Sequence, residues 1–212
     1  MEVRRFLLWL PGTLLAAILI WLLARPALDR AVAGLAELLI RSFEQPRVTR
    51  LLVREDRAEM RRSDLRSGSA VPTVNLTQIH WNTIVFLALA LALPHPFSRR
   101  QLERLVMGWS LLYLTQACNL VFHVKFFYAT GFGELDAAGV GEWSAQHYSD
   151  LAREVYGFLR HFGDLAGRFA FPFVIWLGFN WDRVVMLEDD ERVDPAARKP
   201  LKKKDMKGRA RV

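Results

Sequence analysis

Apolar residues gather in four blocks along the chain, separated by stretches dense in arginine, aspartate and glutamate. The first is "FLLWLPGTLLAAILIWLLA", residues 6–24, nineteen residues without a charge. At about 1.5 Å per residue that run crosses a hydrocarbon core of roughly 30 Å. The second, "IHWNTIVFLALALALPHPF", covers 79–97, and "PHPF" is expected to end its helix. The third covers 105–127 and the fourth, short and holding Arg168 and Pro172, covers 165–181. Arg168 is expected at a water boundary, snorkelling or paired. Arg4 and Arg5 ahead of the first block also suit a signal peptide. The run is long for such a segment and enters "ARPALDR" without a small-x-small cleavage site, which favours a retained anchor. Pro11 is expected to mark where its regular helix begins.

The stretches between blocks carry their own periods. Residues 27–44 place Leu28, Val32, Leu35, Leu38, Leu39 and Phe43 at helical spacing. That helix either lies on the membrane surface or extends the first span. In 47–78, "VTRLLV" and "TVNLTQ" are β-prone and "RED" and "SGS" are turn-like, predicting two to four short strands. Four glycines make 128–144 a loop. Residues 145–164 form an amphipathic helix with Tyr148, Leu151, Val155, Phe158, Leu159 and Phe162 on its apolar stripe and Ser144 as a candidate N-cap.

The predicted fold is therefore an all-α membrane bundle of four transmembrane helices. A small β-containing periplasmic element lies between helices 1 and 2, and an amphipathic periplasmic helix precedes helix 4. The segments are 1–24, helix 1; 25–78, periplasmic helix and strands; 79–127, helices 2 and 3; 128–164, periplasmic loop and helix; 165–183, helix 4; and 184–212, a charged tail. Short basic flanks set the orientation: Arg4 and Arg5, "SRRQLER" between spans two and three, and the tail all fall on one side if both termini are cytoplasmic.

Charge sharpens this picture. The 212-residue chain carries a formal net charge of +7, and five of its six lysines lie in the last fourteen residues. Such a run can suit nucleic acid, but after a membrane span it reads as a cytoplasmic tail near anionic headgroups. Lys202, Lys203, Lys204 and Lys207 are its membrane-surface candidates, so the expected surface is the lipid bilayer, not nucleic acid.

One cysteine, Cys118, excludes an intramolecular disulfide framework, a CxxC pair and a cysteine zinc site. Five histidines, with no two at i, i+4, predict no metal centre, and the lack of a phosphate loop, HExxH or GxSxG pattern predicts no cofactor. Cys118 sits in "LTQACNLVFHVKFF". Gln116, Asn119 and His123 share one face of that helix by their i, i+3, i+7 spacing. Intramembrane polar groups either work or bind neighbouring helices. A nucleophilic cysteine needs an ionised thiol, a base in reach and donors for an oxyanion. His123 lies about 140° around the helix from Cys118, so Arg160 and His161 are the candidates to meet the thiol from another helix. Packing is the commoner fate of a free cysteine.

The order "RFLLWLPGTLLAAILIWLLA", an amphipathic helix, β-prone residues, "TVNLTQIHWNTIVFLALALALP", "SRRQLERLVMGWSLLYLTQACN", a loop, and "FPFVIWLGFNWDR" resembles the class-H exosortase-associated membrane proteins over residues 5–183. That resemblance implies a non-enzymatic accessory subunit of the bacterial inner membrane. Its partner would be a membrane protein, an exosortase by the family's association, in sorting proteins to the cell surface. Partner-facing residues are expected at Asn75, Trp81, Gln116, Asn119, Tyr148 and Phe158. The alternative is an exosortase-type cysteine transpeptidase or protease using Cys118, Arg160 and His161, because "ACN" and "RHFGDLAGRF" are similar to exosortase stretches. A solute transporter is the weaker third class, because repeats and paired intramembrane charges are not evident.

Overall fold

A computed structural model describes residues 3–44, 47–62, 71–130 and 148–192. Helix α1 (Val3–Phe43) is continuous for 41 residues. The first apolar block and the amphipathic stretch after it thus form one rod, and the helix beyond the span extends it instead of lying flat. Pro11 and Pro26 lie inside α1, so Pro11 does not mark its start. Both are exposed, which leaves each ring clear of packed neighbours.

Three strands follow: β1 (Thr49–Arg54), β2 (Arg57–Arg62) and β3 (Thr73–Asn75), antiparallel in that order. The β1–β2 register runs from Thr49↔Arg62 to Arg54↔Arg57. The tight turn between them puts Glu55 at φ 54°, the left-handed backbone that short hairpins require. Leu51, Ala58 and Met60 face Val32, Ala36 and Ile40 on the second half of α1. A bare edge strand invites pairing with other chains. Here Glu44 accepts from Thr49 N–H at 3.0 Å and Glu37 from Leu51 N–H at 2.9 Å, occupying the outer edge of β1.

The second apolar block makes two short helices, α2 (Leu76–His80) and α3 (Asn82–Leu91). Asn75 caps α2 by accepting from Gln78 N–H. Next come α4 (Arg99–Thr130), α5 (Asp150–Leu165), a π-helical turn at Ala166–Ala170, and α6 (Phe171–Arg192). The N-cap of α5 is Ser149, donated to by Ala152 N–H; Ser144 lies outside the described residues. The amphipathic stretch and the last block are joined through the π turn.

Among the described residues, three helices are long and apolar enough to cross a membrane: Arg5–Phe43, Arg99–Thr130 and Asp150–Asp182. The second block contributes a shorter apolar helix, Leu76–Leu91, in place of the full span over 79–97. The reason is its position. Ile84, Leu87 and Ala88 pack on Ala17 and Trp21 of α1, and Phe86 packs on Leu112 of α4 and Ile175 of α6. Apart from half-buried Val85, residues 82–90 are buried throughout. A helix sheathed by its neighbours need not match the thickness of the lipid.

Close packing on α3 depends on Gly108. A Cβ there would fall 2.5 Å from Phe86 Cζ, and Phe86 is held on all sides. Nothing lies within 4 Å of a Cβ at Gly34. Gly108→Ala should therefore cost about 1–3 kcal/mol. Gly34→Ala should be neutral or slightly stabilising. Thermal unfolding of the two detergent-solubilised variants, side by side, checks this.

Candidate functional site

The polar residues of the bundle assemble into three groups. The deepest joins α1 to α2. Trp21 Nε1 donates to His80 Nδ1 at 3.0 Å, which leaves Nε2 as the protonated nitrogen, and Nε2 donates to Asp29 Oδ1 at 2.6 Å. Arg25 reaches Asp29 at 4.0 Å, Asp56 at 3.2 Å and Thr77 Oγ1 at 2.6 Å. One arginine thereby ties the long helix to the hairpin turn and to α2. His80 is 0% and Asp29 2% exposed, so this pair meets no substrate; it holds helices.

The second group lies where α4 meets α5. Gln116 Nε2 donates to Asn82 Oδ1 at 2.7 Å and Thr83 Oγ1 at 2.9 Å. Asn82 Nδ2 donates to Gly167 O at 2.7 Å. That carbonyl is available for a local reason. In the π turn Phe171 N–H bonds Ala166 O, and Pro172 has no N–H to offer Gly167. One turn higher, His123 Nε2 lies 3.0 Å and Asn119 Nδ2 3.4 Å from Asp164 Oδ1. Arg168 adds its charge at 3.9 Å from that oxygen and donates to Gln78 Oε1 at 3.1 Å. A Cβ at Gly163 would overlap Asn119 Oδ1, so glycine is what lets α5 approach. Above these pairs is a cavity of about 200 Å³ lined by Asn75, Gln78, His123, Arg160 and Asp164, with Thr73, Val74 and Ile79.

The third group is at the opposite end. Arg104 makes a two-pronged pair with Asp182, at 3.0 and 2.8 Å, and Arg100 joins at 3.5 Å. Gln101 Nε2 donates to Asn180 Oδ1 at 3.3 Å. His123 is nineteen residues from Arg104 on α4, and Asp164 is eighteen from Asp182. At helical rise the α4 separation is about 28 Å, close to the roughly 30 Å of a hydrocarbon core. The two rungs are spaced as the two edges of such an apolar slab would be.

Cys118 is half-buried. The groups that could activate it are engaged elsewhere. His123 is on Asp164, Arg160 lies over the Phe126 ring at 4.9 Å, and exposed His161 Nδ1 is 3.0 Å from Gly157 O in its own helix. None of the three partners the thiol among the described residues. No cluster of three or more metal-ligating side chains occurs among those residues either.

The model of the exosortase H-associated membrane proteins matches residues 1–183. The chain belongs to this family. Nothing among curated proteins or solved structures matches it. In this exosortase H-associated protein, Gln116 and Asn119 turn inward and give their amides to neighbouring helices. Asn75 is a helix cap at the cavity rim. Trp81 is half exposed and meets Trp21 edge-on at 6.2 Å. Tyr148 packs on the sheet-bearing core, and that burial pushes its phenol up from the usual value. Phe158 is 67% exposed. Lys202, Lys203, Lys204 and Lys207 lie outside the described residues. Asp29, His80, Asn82 and Asp164 were missed as network members. The available signals were the i, i+4 spacings of Arg25 with Asp29 and Asp164 with Arg168.

Asp29→Ala leaves the buried Nε2–H of His80 without its acceptor and should cost about 1–3 kcal/mol, measured by thermal unfolding in detergent. Asn82→Ala should cost about 1–3 kcal/mol. Adding Pro172→Ala restores an N–H for Gly167 O and should recover part of that loss in the same assay.

Proposed function

We propose that this chain is a non-enzymatic accessory subunit of a bacterial inner membrane. It binds a membrane protein partner, the class H exosortase of its family's name, and supports exosortase-type sorting of proteins to the cell surface. The observation that carries this reading is the family match over residues 1–183. The side chains add support. The buried polar groups bond one another across helices, which is how a bundle is fixed in lipid, and among the described residues His123, Arg160 and His161 have partners other than Cys118.

In this reading both termini are cytoplasmic. Arg5, Arg99, Arg100 and Arg104 gather at the end of the bundle away from the sheet, as the positive-inside tendency favours. The sheet, α5, the exposed Trp81 and Phe158 and the half-buried Tyr148 then face the periplasm, with Asn75 at the cavity rim. Gln116 and Asn119 act by holding the helices that present this surface. Lys202, Lys203, Lys204 and Lys207 meet anionic headgroups.

The test is affinity purification of the tagged full chain from membranes that also contain the class H exosortase. Near-stoichiometric exosortase, retained by Cys118→Ala, is the expected result. A chain that purifies alone, or with cleaved substrates lost on Cys118→Ala, sinks the accessory reading and revives the cysteine enzyme.

A further inference from the structure

Helix α5 is packed the wrong way round for a finished protein. Its small residues face inward: a Cβ at Gly157 would meet Phe126 at 3.2 Å, and Gly163 abuts Asn119. Its large apolar residues face outward. Leu151, Val155, Phe158, Phe162, Leu165 and Phe169 are 70, 45, 67, 47, 68 and 65% exposed. They recur at intervals of 4, 3, 4, 3 and 4 residues. That mean of 3.6 keeps all six on one face of the helix, the period of a stripe that packs on a neighbour. The rings are already ordered. Phe158 stacks on Phe162 at 6.0 Å, and Phe162 meets Phe171 edge-on at 5.9 Å.

Depth identifies what covers this seam. The rung at His123 and Asp164 marks one edge of the apolar slab. Leu151 lies thirteen residues beyond Asp164, about 20 Å along the helix. Leu165 and Phe169 fall inside the slab, where lipid could cover them. Leu151, Val155 and Phe158 stand over headgroups and water, where hydrocarbon cannot follow. A soluble helix could cover the upper residues but not the lower two. An occupant that covers all six is a helix that leaves the bilayer and continues outward.

Charge argues against a second copy of α5. In a parallel self-pairing the flanking positions on one side are Glu154, His161 and Arg168, and on the other Ala152, Leu159 and Ala166. No complementary charges fall across such a seam to set register.

We propose that this stripe is the docking seam for one transmembrane helix of the membrane partner, a helix apolar along the contact and extended roughly 20 Å beyond the bilayer. The proposal rests on the accessory reading and specifies its surface. The test uses the full chain co-expressed with the class H exosortase, with a photoreactive phenylalanine placed at 151, 158 or 165, and at 153 and 38 as exposed controls off the seam. Crosslinks to the exosortase from 151, 158 and 165, absent from 153 and 38, are expected. Phe158→Glu should weaken co-purification about tenfold or more, with the thermal unfolding of the chain alone unchanged.

Crosslinking from 165 but not from 151 or 158 overturns the protruding helix. Crosslinks to a second copy overturn the partner's place on the seam. Exosortase retained by Phe158→Glu and crosslinked from the controls overturns the seam while leaving the accessory reading intact. Absence of exosortase from the unmodified chain's purification is the separate failure of the accessory reading.

Discussion

A polar group buried inside the protein has no water to turn to, so each must find its partner among neighbouring side chains or backbone. Asp29 is the sharpest case. Buried almost completely, it takes the proton-bearing nitrogen of His80, whose other nitrogen takes the indole N–H of Trp21. Arg25 then links the same carboxylate to the hairpin turn and to α2. The angle of the long helix, the seat of the sheet and the start of the central helix all follow from that one chain of bonds. The pairs His123–Asp164 and Arg104–Asp182 repeat the arrangement between α4 and the last helices, one at each edge of the apolar slab.

These networks also bear on chemistry. A histidine beside a carboxylate resembles part of a catalytic set, and the described residues hold two such pairs. One is sealed, and the other faces Asn119 and Arg168 with Cys118 elsewhere on its helix. In both pairs the imidazole joins one helix to another, and among the described residues neither is hydrogen-bonded to Cys118.

The outward stripe of α5 follows from the same economy of surfaces. Glycines at 157 and 163 let α5 settle closely on α4, and the bulky residues are left on the far side. Large apolar side chains exposed in a row along one helix are the kind of surface that lipid or another protein covers.

Much of the architecture was legible in the sequence. Long uncharged runs determine membrane helices because hydrocarbon excludes unpaired charge, and alternation with turn residues determined the small sheet. Leu151, Val155, Phe158 and Phe162 of the seam were visible as part of a helical stripe, since spacing alone sets a helix face, whereas Leu165 and Phe169 fell in the block read as the last span. The remainder needed three dimensions. Composition marked 79–97 as a span, but its short central helix is a consequence of being surrounded by α1, α4 and α6. The continuity of α1 through two prolines depended on both rings facing outward. The partners Asp29 with His80 and Asp164 with His123 lie 51 and 41 residues apart. No local rule reaches that far, because such pairs are chosen by which helices touch. The sequence by itself determined which segments avoid water; only the tertiary structure decided which polar groups meet, because that depends on helix order and rotation.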